Sequence, residues 1–296
     1  MTQGARILDG HGLAAAVHAR SAERAAELAG HLGRAPTLAT WLVGDDPASA
    51  VYVASKEEAC AQAGVRSLQR RHPADADPSS IAAGIRQDAA DPDVDAILLQ
   101  LPLPAGMDAA SLLALVPADK DPDGLHPTNL GLTLAGRARW ASCTPQGVMA
   151  LLDAAGVEVA GAHAVVVGRS TMVGKPMAAL LLNRDATVTC CHRGTQDLAR
   201  HTREAEILVV AVGRAGLIDG SMVRPGACVI DVGINRTDAG LVGDVDAASV
   251  APVAGVLSPV PGGVGPMTVA MLVANTITCA ALRGGIDPDS DLVRYQ

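Results

Sequence analysis

A few residues of this chain have side chains and spacings that suggest chemistry. Tyr52 and Lys56 are four apart in VYVASKEEAC, so on a helix they share a face and set a phenol beside an amine. Such a pair can bind a polar substrate and move protons. For an arbitrary Y-x-x-x-K the commoner case is a surface pair with its lysine in water. Gln100 ends the apolar run DAILLQ and leads into LPLP. An amide at the carboxyl end of a parallel strand lies where open α/β sheets bind ligands, and equally suits a cap for the next loop. Asp119-Lys120-Asp121-Pro122-Asp123-Gly124 is a dense acidic turn. Asp, Pro and Gly explain a turn by themselves, and a carboxylate there could accept hydrogen bonds from an amino-bearing ring. Its spacing resembles part of a calcium loop but lacks the bidentate Glu. With no clustered His/Cys spacing either, no metal is expected.

A second set reads as a phosphate site. Residues 163–176, HAVVVGRSTMVGKP, run from three valines into Gly168-Arg169-Ser170, then Gly174 and Pro176. The apolar run is too short for a helix and suits a strand buried on both faces. Pro176 fits the first turn of a following helix. A strand, a glycine-bearing turn and a helix start bring free N–H groups to the positive helix end, where anions bind. The pattern departs from G-x-G-x-x-G, with Ser170 at the second glycine position, and an ordinary βα turn fits it too. The next apolar run, 186–191, ends in His192-Arg193. NAD-binding units place an acidic residue here for the ribose 2′-hydroxyl, whereas Arg accommodates a 2′-phosphate. Arg193, with Arg169 in the turn and no carboxylate before Asp197, implies NADP over NAD.

The chain has 20 arginines but only three lysines, Lys56, Lys120 and Lys175, and all three fall in these stretches. Where Arg is so favoured, a Lys points to a place that an always-protonated guanidinium would not serve.

The elements that must position these groups alternate. Helices are expected over 14–32, 48–62, 81–89 and 145–155. Strands are expected over 37–43, 66–71 (an edge), 95–100, 164–167, 186–191, 207–212, 228–232 and 253–256. Residues 259–266 hold too much Gly and Pro for a regular element and open a long helix over 267–282, stopped by Gly284-Gly285. Valine-rich runs alternating with alanine-rich helices predict an α/β fold, and 296 residues, 49% apolar, suffice for two domains. The net charge of −8 is spread without blocks, which argues against nucleic-acid or anionic-membrane partners. No leader and no uninterrupted apolar span of membrane length is read. Six cysteines without C-x-x-C set a reducing cytoplasm as the expected compartment.

Y-x-x-x-K also occurs in short-chain dehydrogenases, but there the glycine-rich turn precedes the pair, and here it follows by over a hundred residues. Taken in order, VGDDPASAVYVASKEEAC, ILLQLPLP, DKDPDGLHPTNLG, CTPQGVM, VVVGRSTMVGKPMA, ATVTCCHRGT, VIDVGIN and SPVPGGVGPMTVAML resemble the bifunctional methylenetetrahydrofolate dehydrogenase/cyclohydrolase family across nearly the whole chain. The resemblance implies two α/β domains joined by two long helices, the second domain Rossmann-like with a parallel sheet. The folate-binding catalytic domain would span 1–143, completed by the C-terminal helix and tail at 267–296. The NADP domain would span 144–266, with folate in the cleft between them and a homodimer formed through the nucleotide domain. It further implies that Lys56 is central to both activities, that Tyr52 orients the folate, that Gln100 hydrogen-bonds Lys56, and that Asp123 holds the pterin-like ring. Gly168, Arg169, Ser170, Arg193 and Ile234 would line the nucleotide, and Pro261 and Gly262 would border the folate. Leu125 and Ser142 depart from the family's usual Phe and Pro and read as packing changes.

The activity implied is NADP-dependent oxidation of 5,10-methylenetetrahydrofolate, then hydrolysis of the methenyl cation to 10-formyltetrahydrofolate. The first step needs orientation above all; the second needs a proton shuttle, which a lysine beside an amide and a phenol could be. A two-domain NADP dehydrogenase of a small hydroxy acid, of shikimate type, is the alternative enzyme. A nucleotide-sensing binding protein, indifferent to Lys56→Ala, is the non-catalytic one.

Overall fold

Short valine-rich runs form strands here because each is buried on both faces, and the alanine-rich stretches between them form the crossover helices. The computed structural model describes residues 4–238 and 240–286. In chain order these form β1 (Arg6–Ile7), α1 (Gly10–Leu32), β2 (Thr37–Val43), α2 (Pro47–Gln62), β3 (Arg66–His72), α3 (Pro78–Ala90) and β4 (Ala96–Leu99). Then come α4 (Ala109–Leu113), α5 (Pro127–Leu134), α6 (Cys143–Ala154), β5 (His163–Val167), α7 (Gly174–Asn183), β6 (Thr187–Cys191), α8 (Leu198–Thr202) and β7 (Ile207–Val210). The remainder is β8 (Cys228–Asp231), β9 (Asn235–Thr237), β10 (Gly240–Val242), α9 (Ala247–Val250), β11 (Val256–Leu257) and α10 (Val264–Arg283).

The chain divides into two units. One takes residues up to Ala14, Thr133–Arg137 and Thr144–Thr268; the other takes Ala15–Leu132, Ala138–Cys143 and the chain from Val269 on. The line differs from the boundaries expected from sequence at the start of the chain. β1 pairs with β11 in parallel, Arg6 opposite Val256, so the first residues belong to the unit that holds the last strands. The C-terminal tail assigned to the folate domain, from 287 on, lies outside the described residues.

In the first unit β1-β11-β8-β7-β5-β6 form a six-stranded sheet whose pairings are all parallel. β7 and β8 are buried throughout, as parallel strands covered on both faces must be, and Val165, Leu208, Val210 and Val229 lie in the core. In the second unit β3-β2-β4 form a parallel sheet with β3 on an edge. Ala39, Ile81, Ile85 and Ile97 lie in its core. This is the α/β class expected, with the nucleotide-type sheet in the expected half of the chain.

Two expectations change. α10 starts at Val264, so Gly265 and Pro266 lie in its first turn, where proline's missing N–H costs nothing. α10 also has the length and composition to cross a membrane, which no stretch was expected to have; 83% of its apolar span is buried within the protein. Its apolar surface belongs to the core.

Candidate active site and nucleotide site

In the second unit, α2 leaves β2 through a turn closed by Asp46, whose carboxylate accepts from the Ser49 amide at 2.8 Å with Pro47 in the first turn. This start fixes the helix face that carries Tyr52 and Lys56. Lys56 is 8% exposed, and its Nζ donates to Oε1 of Gln100 at 3.0 Å. Gln100 follows β4 and donates its own Nε2 to the Leu101 carbonyl at 2.7 Å. The lysine is therefore no solvated surface group. Tyr52 is half-buried, and desolvation raises the pKa of its phenol.

The acidic turn sorts into parts. Asp119 pairs with Arg283. Asp121 is buried and accepts from the His126 amide at 2.7 Å and Asn129 Nδ2 at 2.9 Å, while burial pushes its pKa up. Lys120, singled out as a pointer to chemistry, is structural. It is 1% exposed and its Nζ donates to the carbonyls of Asp88 and Asp91 at 3.1 and 2.6 Å, the last turn of α3, where a cation belongs. Asp123 is left half-buried beside Cys143, whose thiol is held protonated by burial and then by the Asp123 carboxylate. Gly124 (φ +66°) makes the turn possible, since a Cβ there would lie 2.8 Å from the Ala141 carbonyl carbon. Sequence reading missed Asn275. Buried on α10, its Nδ2 donates to the carbonyls of Pro122 at 2.8 Å and Ala141 at 3.2 Å and so anchors the turn that presents Asp123. An Asn in an apolar helix was the available signal.

In the first unit the turn after β5 is closely built. Gly168 (φ +136°) has no space for a side chain, because a Cβ would lie 2.3 Å from the Ala211 carbonyl oxygen. One at Gly174 would lie 2.2 Å from the oxygen of Gly168. Ser170, standing where a glycine is usual, accepts at Oγ from the amides of Val173 at 3.1 Å and Gly174 at 3.4 Å, and at its carbonyl from Lys175 at 3.0 Å. The N–H groups expected to be free at the start of α7 are thus partly taken by Ser170. Lys175 is exposed in that first turn.

β5 and β6 are in register, Val167 opposite Cys191, so Arg169 and Arg193 leave the carboxyl ends of adjacent parallel strands. Both are exposed, and among the described residues neither has an ion-pair partner. The turn carrying Arg193 is locked by its neighbours: the His192 amide donates to Thr195 Oγ1 at 2.8 Å and the Gly194 amide to His192 Nδ1 at 3.1 Å. Ile234, after β8, is 42% exposed. Pro261 and Gly262 also belong to this unit, Gly262 accepting from the Gly10 amide at 3.0 Å. Sequence reading also missed Asp231 and Asp244. Both are buried, and no motif or spacing in the sequence singles them out.

Strand order, the two crowded glycines and the two unpartnered arginines fit a dinucleotide with a 2′-phosphate. With a buried lysine–amide pair in the other unit, they define a two-domain, NADP-dependent dehydrogenase that has a second site able to move protons.

Comparison makes this particular. Residues 8–123 match the family model "Tetrahydrofolate dehydrogenase/cyclohydrolase, catalytic domain" and residues 142–283 its "NAD(P)-binding domain". A bifunctional protein FolD of Synechococcus sp. strain CC9902 is 52% identical over 283 residues, 95% of this chain and 97% of that one. The bifunctional FolD of Campylobacter jejuni superposes with a TM-score of 0.91 at 42% identity, covering 94% of this chain and 99% of that one. The Trypanosoma brucei methylenetetrahydrofolate dehydrogenase-cyclohydrolase, complexed with NADP and an inhibitor, gives a TM-score of 0.90 at 36% identity over 95% and 98% of the chains. The chain belongs to the tetrahydrofolate dehydrogenase/cyclohydrolase family. It is a bifunctional, NADP-dependent enzyme that oxidises 5,10-methylenetetrahydrofolate and hydrolyses the methenyl product to 10-formyltetrahydrofolate. A Thermus thermophilus shikimate 5-dehydrogenase, at 17% identity and a TM-score of 0.51, shares the fold alone.

Proposed function

We propose that Lys56 carries the proton of the hydrolytic step and that Gln100 holds it in place. The observation that supports this is the 3.0 Å hydrogen bond from the buried Lys56 Nζ to a neutral amide. A carboxylate in that place would hold the proton on the lysine; an amide positions Nζ and leaves it able to give and take one. With Nζ in its amine form, water adding to the methenyl carbon loses one proton to it. That proton passes on to the folate nitrogen whose bond to the carbon then breaks, while the carbinol hydroxyl releases its remaining proton to solvent and becomes the carbonyl of the formyl group left on the other nitrogen. Tyr52, four residues away on the same helix, orients the folate, and Asp123 accepts from the amino-bearing ring, its turn held by Asn275. Pro261 and Gly262 border the folate.

For the oxidation, NADP supplies the hydride acceptor. Gly168, Ser170 and Ile234 line it, and Arg169 and Arg193 meet its 2′-phosphate. The folate's own nitrogen electrons drive hydride loss, so the chain's part in that step is orientation. The reading includes a cytoplasmic homodimer; the six free thiols fit a reducing compartment.

Lys56→Arg tests the proton role apart from the charge, because a guanidinium keeps its proton. Hydrolysis of methenyltetrahydrofolate is expected to fall about a hundredfold or more. A rate equal to wild type would leave Lys56 with a binding role only.

A further inference from the structure

Asp244 is wholly buried, and among the described residues no cation meets its charge. N–H donors meet it instead. Oδ2 accepts from the amides of Val212 at 2.7 Å and Gly213 at 2.9 Å, and Oδ1 from the Arg214 amide at 2.7 Å and Asn235 Nδ2 at 2.9 Å. Three of these donors lie in the loop after β7, and the fourth is the residue next to Ile234, after β8. The segments beyond the carboxyl ends of neighbouring strands β7 and β8 are thus fastened to one carboxylate, the first through three backbone amides and the second through the Asn235 side chain. Asp231 fastens Asp244 in turn, accepting from the amides of Gly233, Asp244 and Val245 at 3.0, 2.9 and 3.0 Å.

The surrounding glycines show how closely this is fitted. A Cβ on Gly233 would lie 2.1 Å from the Asp244 carboxyl carbon, and one on Gly243 would lie 1.7 Å from Asp231 Oδ2. The loop after β7 also reaches the turn after β5: the Ala211 amide donates to Val167 at 2.8 Å, and its carbonyl oxygen fills the space where Gly168 would carry a Cβ. One buried carboxylate therefore holds the loops after neighbouring strands β7 and β8, and the first of these abuts the turn after β5, at the carboxyl edge where doubly wound sheets hold their ligand. Charge-assisted N–H bonds are stiffer than the neutral ones a turn makes for itself.

We propose that Asp244 is the positioning residue of the nucleotide site. It touches no nucleotide itself; it fixes the loop 211–214 and the Ile234–Asn235 segment at the spacing that the dinucleotide requires. This rests on the reading that places NADP at the carboxyl edge of this sheet.

The enzyme contains its own control, since hydrolysis of methenyltetrahydrofolate supplied directly needs no hydride transfer. In Asp244→Asn one N–H acceptor becomes a donor facing amides. KM for NADP is expected to rise about tenfold or more, with kcat changed far less and direct hydrolysis unaltered. Asn235→Ala removes one strut only and is expected to raise the same KM by about threefold, which decides the matter if Asp244→Asn does not fold. An unchanged KM for NADP in Asn235→Ala and in folded Asp244→Asn overturns the proposal. So does an equal loss of both activities in folded protein, which marks a merely structural residue. Arg193→Ser, run alongside, separates the failures. If it weakens NADP and the other two do not, only the role of Asp244 is wrong; if none of the three does, the nucleotide lies elsewhere.

Discussion

Gln100 accepts from Lys56 Nζ through Oε1 at 3.0 Å and donates through Nε2 to the Leu101 carbonyl at 2.7 Å. The second bond orients the first. Because the amide nitrogen faces a carbonyl, the amide oxygen must face the lysine. Gln100→Glu would set a carboxylate against Lys56 and a second oxygen against the Leu101 carbonyl. A proton on Nζ is then held more tightly, and hydrolysis is expected to fall about 10- to 100-fold. A pH–rate profile of direct hydrolysis for wild type and variant checks this; superimposable profiles would contradict it.

Arg193 stands exposed on a turn whose own backbone is locked by His192 and Thr195, so removing its side chain leaves the turn in place. Hydrogen bonds to a charged group contribute about 1.5–3 kcal/mol. Arg193→Ser is therefore expected to lower kcat/KM for NADP about 10- to 100-fold, with NAD altered by no more than about twofold. Steady-state kinetics with each cofactor decide it. Equal losses with both would remove the 2′-phosphate contact from the account.

Burial pushes the Asp231 carboxyl up to about 6 although three amides point at it. Between its ordinary value near 4 and about 6, the folded protein holds a proton that the unfolded chain has released. The stability due to this group is therefore full below about pH 4 and lost as pH rises through 6. At one pKa unit per 1.36 kcal/mol, the loss is on the order of 1–3 kcal/mol. Denaturant midpoints at pH 4.5 and 6.5 should show wild type losing more stability than Asp231→Asn over that interval, and parallel pH dependences would contradict it.

Much of the fold was legible because central strands such as β5 and β7 are short, doubly buried and valine-rich, and because α2 and α3 start at the Asp-Pro pairs Asp46-Pro47 and Asp77-Pro78. β1 was not: two residues carry no periodicity, and the partner, β11, lies some 250 residues on. The start of α10 was hidden because Gly265-Pro266 reads as a loop, yet a proline in a first turn costs nothing. At the site, Tyr52, Lys56, Gln100 and Asp123 were legible as residue types with plausible neighbours, and the Lys56–Gln100 bond appears where it was expected. Lys120 misled because composition cannot tell a lysine that gives up a proton from one that closes a helix end. Asn275, Asp231 and Asp244 were missed because most of their partners are backbone groups in other segments of the chain, which no spacing records.

The most direct test of the account is to give the protein 5,10-methylenetetrahydrofolate with NADP or NAD and to follow reduced nicotinamide and the methenyl compound separately, in wild type and Lys56→Ala. Wild type is predicted to reduce NADP faster than NAD with no methenyl build-up, while the variant loses hydrolysis. A variant that hydrolyses methenyltetrahydrofolate as fast as wild type would contradict the role given to Lys56.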